Sequence, residues 1–418
     1  MAAATIAPRF AASAKAVWLT GGLLALAIIA VRWPGALIGD SLNQLREIQT
    51  GRITDWHPPL MAVLWRAIGA TPQAMLLVQV SIYWAGIALI ADQLRRQTAA
   101  KWGYAVLLVG LSPMSLLYLG TIQKDTLLVA LLALSAGLCL RFGKTTALLP
   151  GFLAMLTRAN AIFAVPPLLV TRQRLLPTFI YCALISAALF PLSKFVNHTV
   201  FRAESSNVEK ALQLFDIAGI EHHSGRRFLG ADISRCYSVF YWDSLALDCQ
   251  ALARTPDDLS GMWIEAISDE PLAYARHRLD HFNHTIFFLV PPLQECVYVP
   301  KHHPNCRPGG DSLLKDAVLR NPLLWPVTWL AVGTCLLFVR LDWPARTFAL
   351  SGLLYGYGYL VVGVAAGFRY FYWTELAVQL ALVWQAATLG IDRWRSIASL
   401  VIAVWIAGYL YRYLPLLG

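Results

Sequence analysis

The chain carries little charge for its length. Of its 418 residues only 14% are Asp, Glu, Lys or Arg, whereas 57% are hydrophobic. A soluble domain of this size needs more charge to cover its surface. Apolar runs of about 20 residues, enough to cross a hydrocarbon core about 30 Å thick, recur along the chain. The composition therefore excludes a soluble protein and predicts an all-α polytopic membrane protein.

The sequence also lacks an internal repeat, a low-complexity tract and a signal-cleavage pattern. The missing repeat weighs against secondary transporters that are built from duplicated halves. No small-residue cleavage site follows the first apolar run, from Ala16 to Val31. We therefore expect this run to be a retained signal-anchor helix.

The net charge of +10 reflects topology, because the basic residues cluster in alternate short loops. These residues are Arg9, Lys15, Arg95, Arg96, Lys101, Arg141, Lys144, Arg172, Arg174, Arg340, Arg346, Arg393 and Arg395. Basic loops mark the cytoplasmic side of a membrane protein, so the pattern predicts about eleven spans with a cytoplasmic N-terminus. The excess of 26 Arg over 8 Lys indicates a GC-rich bacterial genome, and so a bacterial inner membrane.

The predicted spans lie near 14–33, 72–94, 103–120, 126–140, 147–157, 161–171, 175–195, 322–340, 345–367, 374–390 and 396–415. The pair at 147–157 and 161–171 is too short to cross fully, so it either leans on neighbouring helices or forms a re-entrant hairpin.

Two segments on the predicted outer side are longer than connectors. The first, 34–71, contains a surface helix. The second, 196–321, holds 16 of the 24 acidic residues and eight of the nine histidines, and its apolar spacing predicts a mostly α-helical cap. The chain is thus divided into an N-terminal membrane module (1–195), the cap, and a C-terminal membrane module (322–418).

Four of the seven cysteines lie in the cap, and an even number in an oxidising compartment predicts disulfides. Proximity favours the pairs Cys236–Cys249 and Cys296–Cys306, although three connectivities are possible. A metal site near Cys306 is the alternative, but no CxxC spacing supports it.

Acidic residues are scarce outside the cap, where only eight occur. Five of the eight map to the predicted outer side, together with three cations. The acids are Asp40, Glu47, Asp55, Asp125 and Glu375, and the cations are Lys124, Arg158 and Arg369. Charges near membrane spans are costly and are usually functional or paired, so this gathering predicts a site.

Each of these residues has a structural explanation when it is taken alone. Asp40 could be the N-cap of a short amphipathic helix that ends at Gly51. His57 could bond the backbone of its loop, and Lys124 and Arg158 could anchor helix ends at the interface. Taken together, the cations suit a phosphate, because arginine matches phosphate oxygens in a bidentate manner.

Several of these stretches resemble the GT-C superfamily of membrane glycosyltransferases. They are Asp40 in the first outside loop, His57-Pro58-Pro59-Leu60 after a surface helix, Lys124-Asp125, Arg158-Ala159-Asn160 and Arg369-Tyr370. The likeness is to bacterial members, the protein mannosyltransferase and lipid A aminoarabinose transferase group. Those members commonly carry an acidic pair in the first loop. Here Ser41 follows Asp40, so the resemblance points to one catalytic carboxylate.

The resemblance implies an inverting transfer of one sugar from a polyprenyl phosphate, such as undecaprenyl phosphate, to a periplasmic acceptor. Asp40 would be the general base. The residues expected to bind donor or acceptor are Gln44, Asp55, His57, Lys124, Asp125, Arg158, Asn160, Arg369 and Tyr370. No cofactor or metal is expected, because cations of the protein can balance the leaving phosphate, although a divalent metal is not excluded.

Other classes of protein remain as alternatives. A transporter or flippase of a lipid-linked sugar would also be polytopic, but it favours charges at the membrane midplane. A membrane O-acyltransferase needs an intramembrane histidine, whereas His57 lies in a Pro-Pro loop. A non-enzymatic assembly or polymerase-partner protein is a further alternative, against which the gathering of charges weighs. The sequence identifies neither the sugar nor the acceptor, which could be lipid A, O-antigen, another polysaccharide or a protein such as pilin.

Overall fold

The computed structural model describes residues 6–170, 174–229, 236–251, 255–291, 321–391 and 393–414, and it is predominantly helical. Its first helices are α1 (Ile6–Arg32), α2 (Gly39–Thr50), α3 (Leu60–Ala67), α4 (Pro72–Gln97), α5 (Ala100–Val109), α6 (Pro113–Tyr118), α7 (Lys124–Phe142), α8 (Lys144–Thr157), α9 (Val165–Val170) and α10 (Leu175–Phe195). They are followed by α11 (Glu209–Ser224), α12 (Asp243–Leu247), α13 (Leu259–Asp269), α14 (Pro271–Thr285), α15 (Pro326–Leu336), α16 (Trp343–Val362), α17 (Tyr372–Thr388) and α18 (Trp394–Tyr413).

Five helical stretches in the described part of the chain are long and apolar enough to cross a membrane. They are Ala14–Arg32, Pro72–Gln97, Lys124–Phe142, Leu175–Val200 and Trp394–Tyr413. Large apolar side chains on the first and fourth stretches are exposed, for example Leu26 at 63% and Leu184 at 62%. Apolar surface of this extent is stable only against lipid or another apolar partner. The helical, membrane-spanning class is therefore supported, whereas the predicted count of about eleven spans is not confirmed.

The predicted span at 103–120 consists of two helices, because the helical backbone is interrupted between α5 and α6. Pro113 lacks a backbone N–H and begins α6, whose N-cap is Ser112. The hydroxyl of Ser112 accepts a hydrogen bond from Ser115 N at 3.3 Å. The short pair near 147–171 is likewise α8 and α9, with the 3₁₀ segment Ala159–Phe163 between them.

By its internal contacts the chain forms two compact units. The first comprises Met1–Ser206, Val332–Gly356 and Arg369–Ile397, and the second comprises Asn207–Ala331, Tyr357–Phe368 and Ala398–Gly418. The second unit therefore begins close to the predicted start of the cap, but it also includes three stretches from the predicted C-terminal module, 322–331, 357–368 and 398–418.

The first unit contains a two-residue parallel ladder that connects distant parts of the sequence. Strand β1 (Ala36–Leu37) pairs with β2 (Thr121–Ile122), so that Ala36 lies opposite Thr121 and Leu37 opposite Ile122. Helix α2 follows β1 directly and α7 follows β2 directly. The ladder thereby brings the start of α2 beside the start of α7.

The second unit has its own apolar core, formed by residues of α11, α12, α13 and α14 such as Phe215, Leu245 and Ala266. One disulfide joins Cys236 to Cys249, with an S–S distance of 1.98 Å. The predicted pairing of these two cysteines is confirmed. Cys296 and Cys306 lie outside the described residues.

Helices α4 and α7 pack closely where glycines face the opposite backbone. A Cβ placed on Gly86 would overlap the backbone of Ala133 and Leu134, and one placed on Gly137 would lie 2.8 Å from Gly86 O. Small residues allow such an approach between helices in a membrane, where packing rather than hydrophobicity drives association.

We expect Gly86→Ala to lower the stability of the detergent-solubilised protein by about 1–3 kcal/mol, because the added methyl forces the two backbones apart. Gly22→Ala in α1 is the matched control, since a Cβ there has nothing within 4 Å. Thermal unfolding of both variants measures the difference. Equal melting temperatures for the two would contradict the packing described.

Candidate functional site

Helix α2 presents Asp40 in its first turn, where the carboxylate is not used as a helix cap. The N-cap position is Ile38, whose backbone N–H donates to Ser41 Oγ at 3.2 Å. The Ser41 hydroxyl in turn donates to Ile122 O of β2. The chain leaves α2 through Gly51, whose φ of +72° suits glycine, as the sequence predicts. The capping explanation of Asp40 does not describe this helix, and its carboxylate is available for other contacts.

Helix α7 begins at Lys124 and has Asp125 in its first turn. The positive end of a helix dipole favours an acidic side chain and disfavours a basic one. Asp125 is only 1% exposed. A lysine at this position therefore needs nearby carboxylates to compensate its charge.

Those carboxylates belong to a compact group of acidic and basic side chains, which we call the charged cluster: Asp40, Lys124, Asp125, Arg158 and Arg369. Arg369 Nη2 lies 3.0 Å from Asp40 Oδ2, and Lys124 Nζ lies 3.8 Å from the same oxygen. Arg369 Nε lies 3.6 Å from Asp125 Oδ2, and Arg158 pairs with Asp125 Oδ1. Three cations and two carboxylates from four regions of the sequence thus meet with a formal charge of +1.

The contact of Asp40 with its cations is electrostatic rather than directional. Among the described residues, Asp40 Oδ2 has no hydrogen-bond partner of good geometry despite its nearness to Arg369 and Lys124. Burial by itself would raise the pKa of Asp40, but the charges of Lys124 and Arg369 outweigh it and hold the pKa below its ordinary value of 3.8. Asp40 is therefore an ionised carboxylate whose basicity is reduced by its neighbours.

His57 joins the cluster through Lys124, since His57 Nδ1 lies 2.8 Å from Lys124 Nζ. An ammonium group can only donate, so Nδ1 accepts and the ring proton is on Nε2. Burial, and then the charge of Lys124, lower the pKa of His57 from 6.5 to about 3. His57 is thus a neutral imidazole of defined tautomer at neutral pH.

Tyr370 and Gln123 complete the surroundings of the cluster. The guanidinium carbon of Arg158 lies 4.3 Å from the centre of the Tyr370 ring, a cation–π contact. Arg369 Nη1 donates to Gln123 Oε1 at 3.5 Å. Gln123 was not among the predicted site residues, although its position next to Lys124 was the available signal.

Asp55 lies apart from the charged cluster, and its contacts anchor the loop in which Asp55 itself lies. Its Oδ1 accepts a hydrogen bond from Ser206 N at 2.5 Å, and its Oδ2 lies 3.4 Å from His198 Nε2. The backbone N–H of Asp55 donates to Glu204 O at 3.0 Å. These contacts hold the loop that carries His57, so Asp55 positions the loop and does not contact the cluster.

Two other acids of the predicted gathering are also engaged elsewhere. Glu47 accepts hydrogen bonds from Thr54 Oγ1 at 2.5 Å and from Thr54 N at 3.2 Å. Glu375 is buried at the start of α17 and accepts from Gln379 Nε2 at 3.1 Å. Of the five predicted acids, Asp40 and Asp125 are therefore the two that lie in the cluster.

Gln44 and Asn160 are buried amides that contribute no bond to the cluster. Gln44 is 1% exposed and lies one helical turn after Asp40, on the same face of α2. Asn160 is 8% exposed in the 3₁₀ segment that follows Arg158. Within the part of the chain that the structure describes, both amide atoms of each residue lack a hydrogen-bond partner.

The described residues contain no group of three or more His, Cys, Asp or Glu side chains arranged to hold a metal ion. Comparison of the chain with protein-family models, with curated proteins and with solved structures found no match. The geometry of the charged cluster therefore carries the functional interpretation.

We expect Asp125→Asn to destabilise the protein by about 3 kcal/mol, because it removes the buried carboxylate that pairs with both Arg158 and Arg369 and leaves the cluster with excess positive charge. Arg52→Gln is the control. It breaks an ion pair with Glu204 whose two side chains are 73% and 50% exposed, so little change is expected. Thermal unfolding in detergent compares the two variants, and an Asp125→Asn protein as stable as Arg52→Gln would show that Asp125 does not hold the cluster.

Proposed function

We propose that the protein is an inverting glycosyltransferase of the GT-C type, which moves one sugar from a polyprenyl phosphate to an extracytoplasmic acceptor. The observation that carries the proposal is the charged cluster, in which a single accessible carboxylate lies among three cations at the ends of apolar helices. That combination suits a substrate that has a membrane-embedded lipid, a phosphate and a reacting carbon close together.

The cations supply what the phosphate of such a donor needs. A sugar phosphodiester carries one negative charge, which matches the formal charge of +1 on the cluster. After transfer the leaving group is a phosphomonoester, whose charge at neutral pH is about −1.5 to −2. Arg369 and Lys124, the two cations beside Asp40, stabilise that increase in the transition state.

Asp40 acts as the general base. The acceptor hydroxyl loses its proton to Asp40 as its oxygen bonds to the anomeric carbon, and the bond from that carbon to the phosphate oxygen breaks. The electron pair leaves with the phosphomonoester. Asp125 is not placed as a nucleophile, because it is buried and held by Arg158 and Arg369. One displacement without a covalent intermediate inverts the anomeric centre.

The ion pairs of Asp40 with Arg369 and Lys124 also determine the order in which the two substrates bind. In the free protein Arg369 and Lys124 compensate Asp40, which reduces its basicity. A donor phosphate competes for the same two cations, and when it takes them Asp40 loses partners and becomes a stronger base. The donor therefore binds before the acceptor, and it generates the base that the acceptor requires.

The proposed setting is a bacterial inner membrane, with about eleven spans, a cytoplasmic N-terminus and the charged cluster on the periplasmic side. The alternation of basic loops supports this orientation. The Cys236–Cys249 disulfide suits an oxidising compartment. The proposed acceptor is a periplasmic glycan, lipid or protein. No cofactor beyond the lipid-linked sugar is proposed, because the cluster provides the positive charge.

Asp40→Asn tests both the base and the competition for cations. We expect transfer to fall by about 10²–10⁴-fold, because the base is removed. Binding of bare undecaprenyl phosphate should instead become several-fold tighter, because the internal carboxylate no longer competes. Isothermal titration in detergent and a radiolabel transfer assay with purified protein measure the two effects.

Glu47→Gln is the matched control for Asp40→Asn, since it removes a carboxylate from the same helix outside the cluster and should change both quantities little. Transfer by Asp40→Asn at the wild-type rate would refute the base assignment. Movement of a labelled lipid-linked sugar across liposomes by Asp40→Asn, with no transfer by the wild type, would favour a flippase.

The pH dependence of transfer follows from the contacts of Asp40 and His57 with the cations of the cluster. Because the pKa of Asp40 is lowered and that of His57 is about 3, both groups keep one protonation state from about pH 5 to pH 7. The ratio kcat/KM, which reports the free enzyme, should show no acid-side inflection in that range. In kcat the inflection should lie at higher pH, because the bound phosphate frees Asp40. An inflection of kcat/KM near 6.5 that His57→Asn removes would contradict the neutral state of His57.

A further inference from the structure

His57 has a buried hydrogen-bond donor that its contact with Lys124 does not use. Lys124 occupies Nδ1, which leaves the proton on Nε2. The ring is 6% exposed, and Nε2 has no hydrogen-bond partner among the described residues. Buried donors in native proteins are almost always paired, because an unmade bond costs free energy. The contact with Lys124 therefore accounts for the position of Nδ1, but nothing among the described residues accounts for the buried Nε2 donor.

Gln44 likewise has buried polar atoms without a partner in the described residues. It lies one turn along α2 from Asp40, which places the two side chains on one helix face. Its amide is buried, and neither its donor nor its acceptor atom has a partner in the described residues. An apolar residue would fill that space without the free-energy cost of burying an unbonded amide, so a buried amide here indicates a polar partner.

We propose that His57 Nε2 and the Gln44 amide form a subsite, next to Asp40, that binds the hydroxyl groups of an uncharged sugar. The proposal rests on the proposed function, and it adds the class of the transferred group. A hydroxyl both donates and accepts, as the pair of His57 and Gln44 requires. A phosphate is better matched by Arg369 and Lys124, and an acyl chain would leave the donor and the amide unpaired.

The charges around the subsite favour an uncharged sugar over an acidic one. The cations of the charged cluster are engaged by Asp40 and Asp125, and in the donor complex by the phosphate. His57 is neutral and Gln44 carries no charge, so neither compensates a carboxylate on the sugar. A uronic acid donor would bring an unpaired negative charge to this place, which is costly.

The test distinguishes binding of the sugar from binding of the phosphate. Bare undecaprenyl phosphate and undecaprenyl phosphates that each carry one neutral hexose or pentose are titrated against the full-length protein. Two near-isosteric variants are compared with the wild type. His57→Asn keeps an acceptor oxygen for Lys124 and loses the Nε2 donor, while Gln44→Met keeps volume and loses the amide.

We expect each variant to weaken the binding of the preferred sugar-bearing lipid by about 3- to 10-fold, the usual size of one net hydrogen bond, and to leave bare undecaprenyl phosphate unaffected. A deoxy donor that lacks the contacted hydroxyl should bind the wild type more weakly by a similar factor. With that donor the matching variant should show no further loss. Unchanged binding of the bare lipid also shows that the variants are folded.

Other outcomes overturn the proposal. If no neutral sugar changes the affinity relative to the bare lipid, or if both variants bind the sugar-bearing lipid as the wild type does, the subsite does not exist. Tighter binding of a uronic acid donor than of any neutral one would refute the uncharged sugar. If the wild type binds no undecaprenyl phosphate at all, it is the proposed function that fails.

Discussion

The ion pairs of Asp40 and Asp125 with Lys124, Arg158 and Arg369 join parts of the chain that are far apart in sequence. A charge close to apolar helices is stable only when an opposite charge lies beside it. Here neither the acids nor the bases could remain alone, since Asp125 is buried and Lys124 stands at the positive end of α7. This compensation therefore ties together the positions of α2, α7, the segment after α8 and the 3₁₀ turn Phe368–Phe371 that precedes α17.

The backbone around the cluster limits how far those charges can move. The ladder between β1 and β2, together with the bond from Ser41 to Ile122 O, fixes the start of α2 beside the start of α7. Asp55 and its contacts with Ser206 and Glu204 fasten the loop that carries His57. Hydrogen bonds outside the charged cluster thus set the backbone geometry, while the ion pairs set the electrostatics of the cluster.

In the proposed function, this arrangement suits an enzyme that must stay stable without its substrate. Three cations close together repel one another, and the carboxylate of Asp40 reduces that repulsion in the position that the proposal gives to the phosphate. The same contact lowers the basicity of Asp40 until the proposed donor binds. Under this proposal, the stability of the free protein and the activation by the donor both follow from the same ion-pair distances.

Several features could be predicted from the sequence because they depend on local composition and short spacing. The helical membrane class follows from apolar runs, the end of α2 from Gly51, and the Cys236–Cys249 disulfide from a separation of 13 residues. The gathering of Asp40, Lys124, Asp125, Arg158 and Arg369 was also predicted, because few charges occur near the membrane and each must find a partner. The count of about eleven spans is not confirmed, and hydropathy does not reveal an interruption such as that before Pro113.

What the sequence by itself determined is which residues are costly in an apolar environment, and so which must be paired. Only the tertiary structure decided the partners. In the structure Asp55 contacts Ser206 and His198, Glu47 contacts Thr54, and Glu375 contacts Gln379. Asp40 instead lies between Arg369 and Lys124. Hydrogen bonds and close ion pairs form only when the partner atoms lie within about 4 Å, so the choice depends on where each backbone places its side chain, and spacing along the chain does not contain that information.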